Sequence, residues 1–314
     1  MLTFVLGRLV SAVPTLLLVS VIVVLLLQIA PGDPASTLLG SYATPDEIAA
    51  FRTEMGFDRP LHEQFLAWLW RAVQGDLGRS LVANVDVLDM ILERLPRTLS
   101  LAALALLVSI AIGVPLGLLA GLRQNTIYDQ AAMSFAIIGL SIPDFVAGLL
   151  LILLFSVYLG ILPSIGYVDL GESFSGWFLN LIMPSLSLGF LMAAVTARMT
   201  RSSVVDVMRQ DYVTTAYAKG LSETRVIGIH VLKSALIPVV TVVGINLGAV
   251  FRGAVVIETL FAIPGLGRMI ITGIQYRDYP AIQGCLLFIV TIYILINLAV
   301  DVIYAWLDPR IQAS

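Results

Sequence analysis

The chain has 314 residues, 59% hydrophobic and 12% charged, with a mean hydropathy of +0.96 and a formal net charge of −3. These proportions exclude an ordinary soluble domain and define an integral membrane protein. The scarcity of charge, with basic residues gathered on one predicted side of the membrane, argues against nucleic-acid binding. A single cysteine, Cys285, lies in an apolar run, which excludes an intramolecular disulfide and a thiolate metal cluster.

Residues 1–30 read as an N-terminal segment and a first span. Leu9 to Ala30 is apolar behind the lone charge of Arg8, interrupted mainly by Pro14 and Gln28, and is long enough to cross a bilayer. A signal peptide has a shorter apolar core followed by a small-residue cleavage site, so an uncleaved helix with its N-terminus inside is expected. Residues 31–95 are the one long polar segment, and Asp33, Asp46, Glu47, Glu54, Asp58 and Glu63 make it acidic. Alternation of spans places it outside the cytoplasm. Its PGDP, GFDRPL and GDLGRSL stretches alternate turn signals with short apolar pieces. Phe65, Leu66, Trp68, Leu69 and Trp70 crowd together, which fits a helix lying in the membrane interface or a landing surface for an external partner.

Residues 96–314 carry the remaining spans, at about 99–122, 131–162, 177–197, 234–257 and 280–307. Arg123 closes the second span on the inner side. The 131–162 segment is too long for one straight span, and Pro143 with Asp144 predicts a kinked or tilted helix; Asp144 either faces a pathway or caps the helix after Pro143. The fifth span holds Asn246 and Arg252, and a charge there faces a bundle interior or an aqueous cavity. Arg252 thus lines a path, pairs with Glu258 or Asp144, or snorkels to the outer surface. Glu258 to Tyr279, with PGLG in its middle, is expected to dip into the outer membrane face as a re-entrant piece. Candidate path or gate residues are therefore Asn246, Arg252, Glu258, Pro264 and Gly265. Asp301 in the sixth span is expected to bond a neighbouring helix. Six spans result, with both termini cytoplasmic.

The loop at 198–233 is the most basic short segment. Arg198, Arg201, Arg209, Lys219, Arg225 and Lys233 stand against Asp206, Asp211 and Glu223, which places it in the cytoplasm. Val205, Met208, Tyr212 and Ala216 follow helical spacing. Gly220 suits a left-handed cap, and Ser222 with Glu223 can start a second helix. The loop reads as helix, tight turn, helix, serving either as a docking element or only as a topological marker.

Several chemistries are absent. No phosphate-binding GxxxxGK[ST] loop exists, and the two lysines, Lys219 and Lys233, sit in no glycine-rich turn. His62 and His230 fall on opposite predicted sides of the membrane, excluding HExxH and Ser-His-Asp arrangements. An intramembrane aspartyl protease would have to use Asp144 and Asp301. A stand-alone channel or secondary carrier would carry gating charges or an inverted repeat, and neither is evident.

Thr214, Thr215, Ala216 and Gly220, followed by Leu232, fall on the spacing of the EAA loop of permease subunits of ATP-binding-cassette importers, with Thr214 and Lys233 replacing that motif's usual glutamate and proline. Further stretches extend the likeness: APGDP at Ala30 to Pro34, GFDRPL at Gly56 to Leu61, GDLGRSL at Gly75 to Leu81 and ERLPRTL at Glu93 to Leu99. SIPDF at Ser141 to Phe145, ETLFAIPGLG at Glu258 to Gly267, RDYP at Arg277 to Pro280 and AWLDPRI at Ala305 to Ile311 complete it. Over essentially its full length the chain resembles the dipeptide, oligopeptide and nickel permease family. The resemblance implies an all-α type I importer permease in the bacterial cytoplasmic (inner) membrane, embedded in lipid. It implies Thr214, Thr215, Ala216, Gly220 and Leu232 as the ATPase-coupling loop, and partners comprising a second homologous permease, two cytoplasmic ATPase subunits and an extracytoplasmic substrate-binding protein. No cofactor is expected in this chain, because ATP and Mg belong to the ATPase subunits. Di- or oligopeptides are the expected cargo; nickel chelates, glutathione or another small solute are the alternatives.

Overall fold

The structure, a computed structural model, describes residues 2–29, 34–39 and 43–307. Within them the chain is helical. The helices are α1 (Leu2–Ile29), α2 (Pro34–Leu39), α3 (Pro45–Met55), α4 (Leu61–Val73), α5 (Val87–Leu122), α6 (Ile127–Ser141) and α7 (Asp144–Leu151). Then come α8 (Phe174–Met208), α9 (Asp211–Ala218), α10 (Glu223–Arg225), α11 (Leu232–Leu260), α12 (Leu266–Tyr276) and α13 (Tyr279–Leu307). Two π-helical stretches are inserted, Ile152–Tyr158 after α7 and Val226–Val231 between α10 and α11. Five helices are long and apolar enough to cross a membrane, or six if α6 and α7 count as one broken span.

The expected boundaries shift in instructive ways. At 1.5 Å per residue, α5 with 36 residues and α8 with 35 are each about 50 Å long, well beyond the ~30 Å hydrocarbon core. The spans expected at 99–122 and 177–197 are thus the membrane portions of longer helices, and residues 198–208 continue α8 rather than opening a loop. The kink expected at Pro143 is a 101° bend between two separate helices, because a residue before proline is pushed out of the helical region and Ile142 is extended. Glu258 to Tyr279, expected as a re-entrant piece, consists of the last turn of α11, a short connection at the PGLG stretch and α12, an amphipathic helix that buries Leu266, Met269 and Ile270. Residues 30–33, most of the APGDP stretch, and 308–314, which include Arg310, lie outside the described residues, as does the side chain of Asp301.

By Cα proximity the chain divides into two units that cut across the boundary expected at residue 96: one holds residues 1–98 and 264–295, the other 99–263 and 296–314. In the first, α3 is closed by a capping box, with the Thr44 hydroxyl accepting from Glu47 N–H and the Glu47 carboxylate accepting from Thr44 N–H at 2.8 Å. That backbone N–H, with the hydroxyl beside it, holds the Glu47 carboxyl below its ordinary value. The α4 helix buries Trp68 and exposes Leu66, Trp70 and Val73. Three stretches singled out in the sequence lock together. Asp278 Oδ2 accepts from Ser80 Oγ at 2.5 Å and its Oδ1 from the Leu81 N–H at 3.1 Å. Arg97 Nη1 donates to the Pro264 carbonyl at 3.3 Å, and the Leu266 N–H donates to Thr98 Oγ1 at 2.9 Å. Leu77, Val87, Ile91, Leu266, Met269, Ala281 and Cys285 form the core beneath them.

In the second unit the contact that matters most is backbone against backbone. Gly113, Gly117 and Gly121 recur every four residues on α5 and meet α8. A Cβ at Gly113 would stand 2.7 Å from the Ala193 carbonyl oxygen, and one at Gly117 would collide with the Ala197 carbonyl. Gly189 on α8 returns the contact at the Ala105 carbonyl. Because lipid is as apolar as leucine, helices in a bilayer associate through such close approach rather than through hydrophobic burial. Polar side chains bond across the same helices: Ser109 and Thr196 hydroxyls lie 2.9 Å apart, and Asn246 Nδ2 reaches Thr196 Oγ1 at 3.4 Å, joining α5, α8 and α11.

Candidate coupling loop and translocation path

The candidate coupling loop, residues 198–233, is built on a small apolar base. Val204 on α8, Val213 and Ala216 on α9, Val226 and Val231 in the π-helical turn, and Ala235 on α11 form one buried cluster, flanked by Leu118 and Leu122 of α5. The expected stripe through Val205, Met208, Tyr212 and Ala216 is broken because the helix stops at Met208 and restarts at Asp211. The restart turns α9 so that Val213 and Ala216 face inward while Tyr212, Thr214, Thr215 and Tyr217 face out. Gly220 adopts φ +78°, the left-handed conformation expected of it. Ser222 occupies the N-cap position of α10 without a side-chain hydrogen bond.

The five residues named for coupling therefore separate. Thr214 and Thr215 stand on the exposed face, Gly220 makes the turn, and Ala216, only 5% exposed, is packed in the base. Leu232, half-buried, begins α11. Tyr212 and Tyr217, exposed beside Thr214 and Thr215, were not singled out for this face, and their positions two residues before Thr214 and two after Thr215 are the only sequence signal that pointed to them. Beneath the loop, Arg201 grips Asp129 of α6 through two bonds, Nε to Oδ1 at 2.5 Å and Nη2 to Oδ2 at 2.8 Å. This bidentate pair ties the α8 extension to the start of α6, and Ser203 Oγ adds a bond to the Ala235 carbonyl at 2.8 Å. The α9 ridge is thereby presented on a braced platform.

The path candidates scatter. Asn246 is buried between helices in the hydroxyl network already described. Glu258 is wholly buried near the end of α11, and its carbonyl accepts from the Ile263 N–H at 2.8 Å. Pro264 and Gly265 form the connection to α12, with the Pro264 carbonyl held by Arg97. Arg252 is exposed on α11 and makes no ion pair with Glu258 or Asp144 among the described residues. Asp144 opens α7 and accepts from the Phe145 N–H at 2.8 Å, while Oδ2 approaches Gly253 so closely that a Cβ there would sit 2.8 Å away. Ser187 Oγ donates to the Asp144 carbonyl at 2.6 Å, fixing the bend between α6 and α7. No group of three or more metal-ligating side chains occurs among the described residues.

Comparison with known proteins gives consistent results. The family model described as binding-protein-dependent transport system inner membrane component matches residues 113–313, and its N-terminal companion matches residues 1–102. A Brucella abortus (strain 2308) protein named as a peptide transport system permease is 41% identical over 312 residues, 99% of each chain. The glutathione transport system permease GsiC of Escherichia coli (strain K12) is 43% identical over the same share. Among solved structures, the MetNI methionine ABC transporter in an inward-facing conformation aligns at a TM-score of 0.57 and 20% identity, covering 70% of this chain and 96% of that one. At that identity the likeness concerns the fold, that of an importer permease.

Proposed function

We infer the role of this chain from the family to which it belongs, the inner-membrane components of binding-protein-dependent transport systems. As a multi-pass membrane permease, it forms half of an ATP-driven importer for di- or oligopeptides, completed by a second related permease, two cytoplasmic ATPase subunits and an extracytoplasmic binding protein. The observation that carries the peptide reading is the 41% identity, end to end, with the peptide permease relative. The 43% identity with a glutathione permease favours one second reading, a γ-linked tripeptide thiol. ATP and Mg are bound by the partners, and this chain has no catalytic residue.

The exposed ridge of Tyr212, Thr214, Thr215 and Tyr217 supports a docking role for α9. A docked ATPase would push the ridge as a rigid body, because Arg201–Asp129 and the apolar base resist its moving alone. Alternating access follows if the ATPase pair, when closed on nucleotide, favours one of two arrangements of the spans. The test is a Thr214→Trp, Tyr217→Glu double variant in the reconstituted importer. Peptide uptake is expected to fall at least about tenfold, the loss of roughly 1.4 kcal/mol of coupling, with the permease pair still assembled. Undiminished uptake would sink the docking role; uptake of glutathione but not dipeptides by the unaltered complex would favour the second reading.

A further inference from the structure

The unit formed by residues 1–98 and 264–295 holds a partly open pocket of about 730 Å³. Its size is that of a ligand pocket. One wall is Val24 and Leu27, from the last turns of the membrane span α1. Both termini being cytoplasmic, those turns reach the outer membrane surface. Around the same cavity stand Arg59 and Arg71, of one charge, and Glu54 and Glu63, of the other. None of these four side chains has a hydrogen-bond or ion-pair partner among the described residues. Trp68, also on the wall, is 6% exposed, and its indole N–H is buried without an acceptor.

We propose that this cavity is a headgroup site for a zwitterionic aminophospholipid of the outer leaflet. The phosphate diester is a bidentate match for guanidinium groups, so Arg59 and Arg71 hold it. The ammonium is held by Glu54 and Glu63. The acyl chains leave along Val24 and Leu27 toward the exposed Leu25 and Leu26 of α1. A purely anionic lipid would satisfy the arginines and leave the two carboxylates facing it, and a free phosphate ion would leave the apolar wall of α1 uncovered.

The experiment uses the assembled importer in nanodiscs containing equal parts phosphatidylethanolamine, phosphatidylglycerol and phosphatidylcholine, with retained lipid read by native mass spectrometry after transfer to detergent. Phosphatidylethanolamine is expected to be enriched about tenfold over the bulk mixture. Arg59→Gln with Arg71→Gln removes that enrichment, since the neutral amides lose the charge and the bidentate fork that match a phosphate diester. Glu54→Gln with Glu63→Gln makes phosphatidylglycerol compete equally. All four residues are exposed, so assembly of the importer is retained and serves as the control. Retained lipid of bulk composition in the unaltered complex, equal enrichment in the arginine variant, or displacement by millimolar inorganic phosphate would each overturn the proposal, the last in favour of a soluble phosphate ligand.

Discussion

The two units solve the same problem, holding helices in register, with different chemistry. In residues 1–98 and 264–295 the joints are directed bonds from polar side chains: Asp278 to the Ser80 hydroxyl and the Leu81 backbone, Arg97 to the Pro264 carbonyl, Thr98 to the Leu266 N–H. In residues 99–263 polar bonds such as Ser109–Thr196 are present too, but the closest joints are absences of side chain, Gly113, Gly117 and Gly121 letting α5 and α8 touch through their backbones. The difference follows from the solvent. Where water competes for hydrogen bonds and rewards apolar burial, turns must be pinned by directed bonds around a core of larger residues. Where the surroundings are hydrocarbon, burial drives nothing and contact area between smooth helix faces decides.

The largest test of that contrast is Gly117→Leu. With the Ala197 carbonyl within clash distance of an added Cβ, the variant forces α5 and α8 apart, and the expected cost is about 3 kcal/mol or more, read as loss of the monodisperse complex or a drop in its melting temperature. Gly228→Leu is the matched control, since nothing lies within 4 Å of its added Cβ, and should melt unchanged. Next comes Asp278→Ala in the other unit. It strands the Ser80 hydroxyl and the Leu81 N–H at once, and about 2–3 kcal/mol is expected, seen as faster amide exchange across residues 76–87 while α8 stays protected. Protection lost equally in α8 would break the distinction between the units. The smallest effect belongs to Thr196→Val. It removes the hub of the Ser109–Thr196–Asn246 network but leaves helix contact intact, so about 1 kcal/mol is expected from thermal or denaturant unfolding in detergent. A loss as large as that of Gly117→Leu would mean that hydrogen bonds, not close approach, hold this unit.

How much of this was legible beforehand depended on range. Local signals were read correctly where they were strong: the apolar runs gave the spans, Gly220 its left-handed turn, and Pro143 the break. Continuations were missed because a helix leaving the bilayer changes composition without changing conformation, so Arg198 to Met208 was read as part of a separate helix after the span and not as the end of α8. The glycines at 113, 117 and 121 were in plain view at the four-residue spacing of close helix packing, and that signal went unread. The clasp between Ser80 and Asp278, 198 residues apart, left no local trace, although both ends lay in stretches that carried the family resemblance. Within residues 198–233 the type of element was legible. Its outward face was not, since that depends on the chain stopping at Met208 and restarting at Asp211.

The π-helical turn from Val226 to Val231 has a consequence for anyone redesigning the loop. A π turn accommodates roughly one residue more than an α turn, so each position beyond it is rotated by about 100° from where an unbroken helical wheel would put it. Lys233 and Asn246 therefore belong to a different phase from Glu223 and Arg225. A chimera that joined this α9 to another permease's fifth span by matching apolar periodicity alone would aim the whole span at the wrong neighbours, and the remedy is the deletion or retention of a single residue between Val226 and Val231.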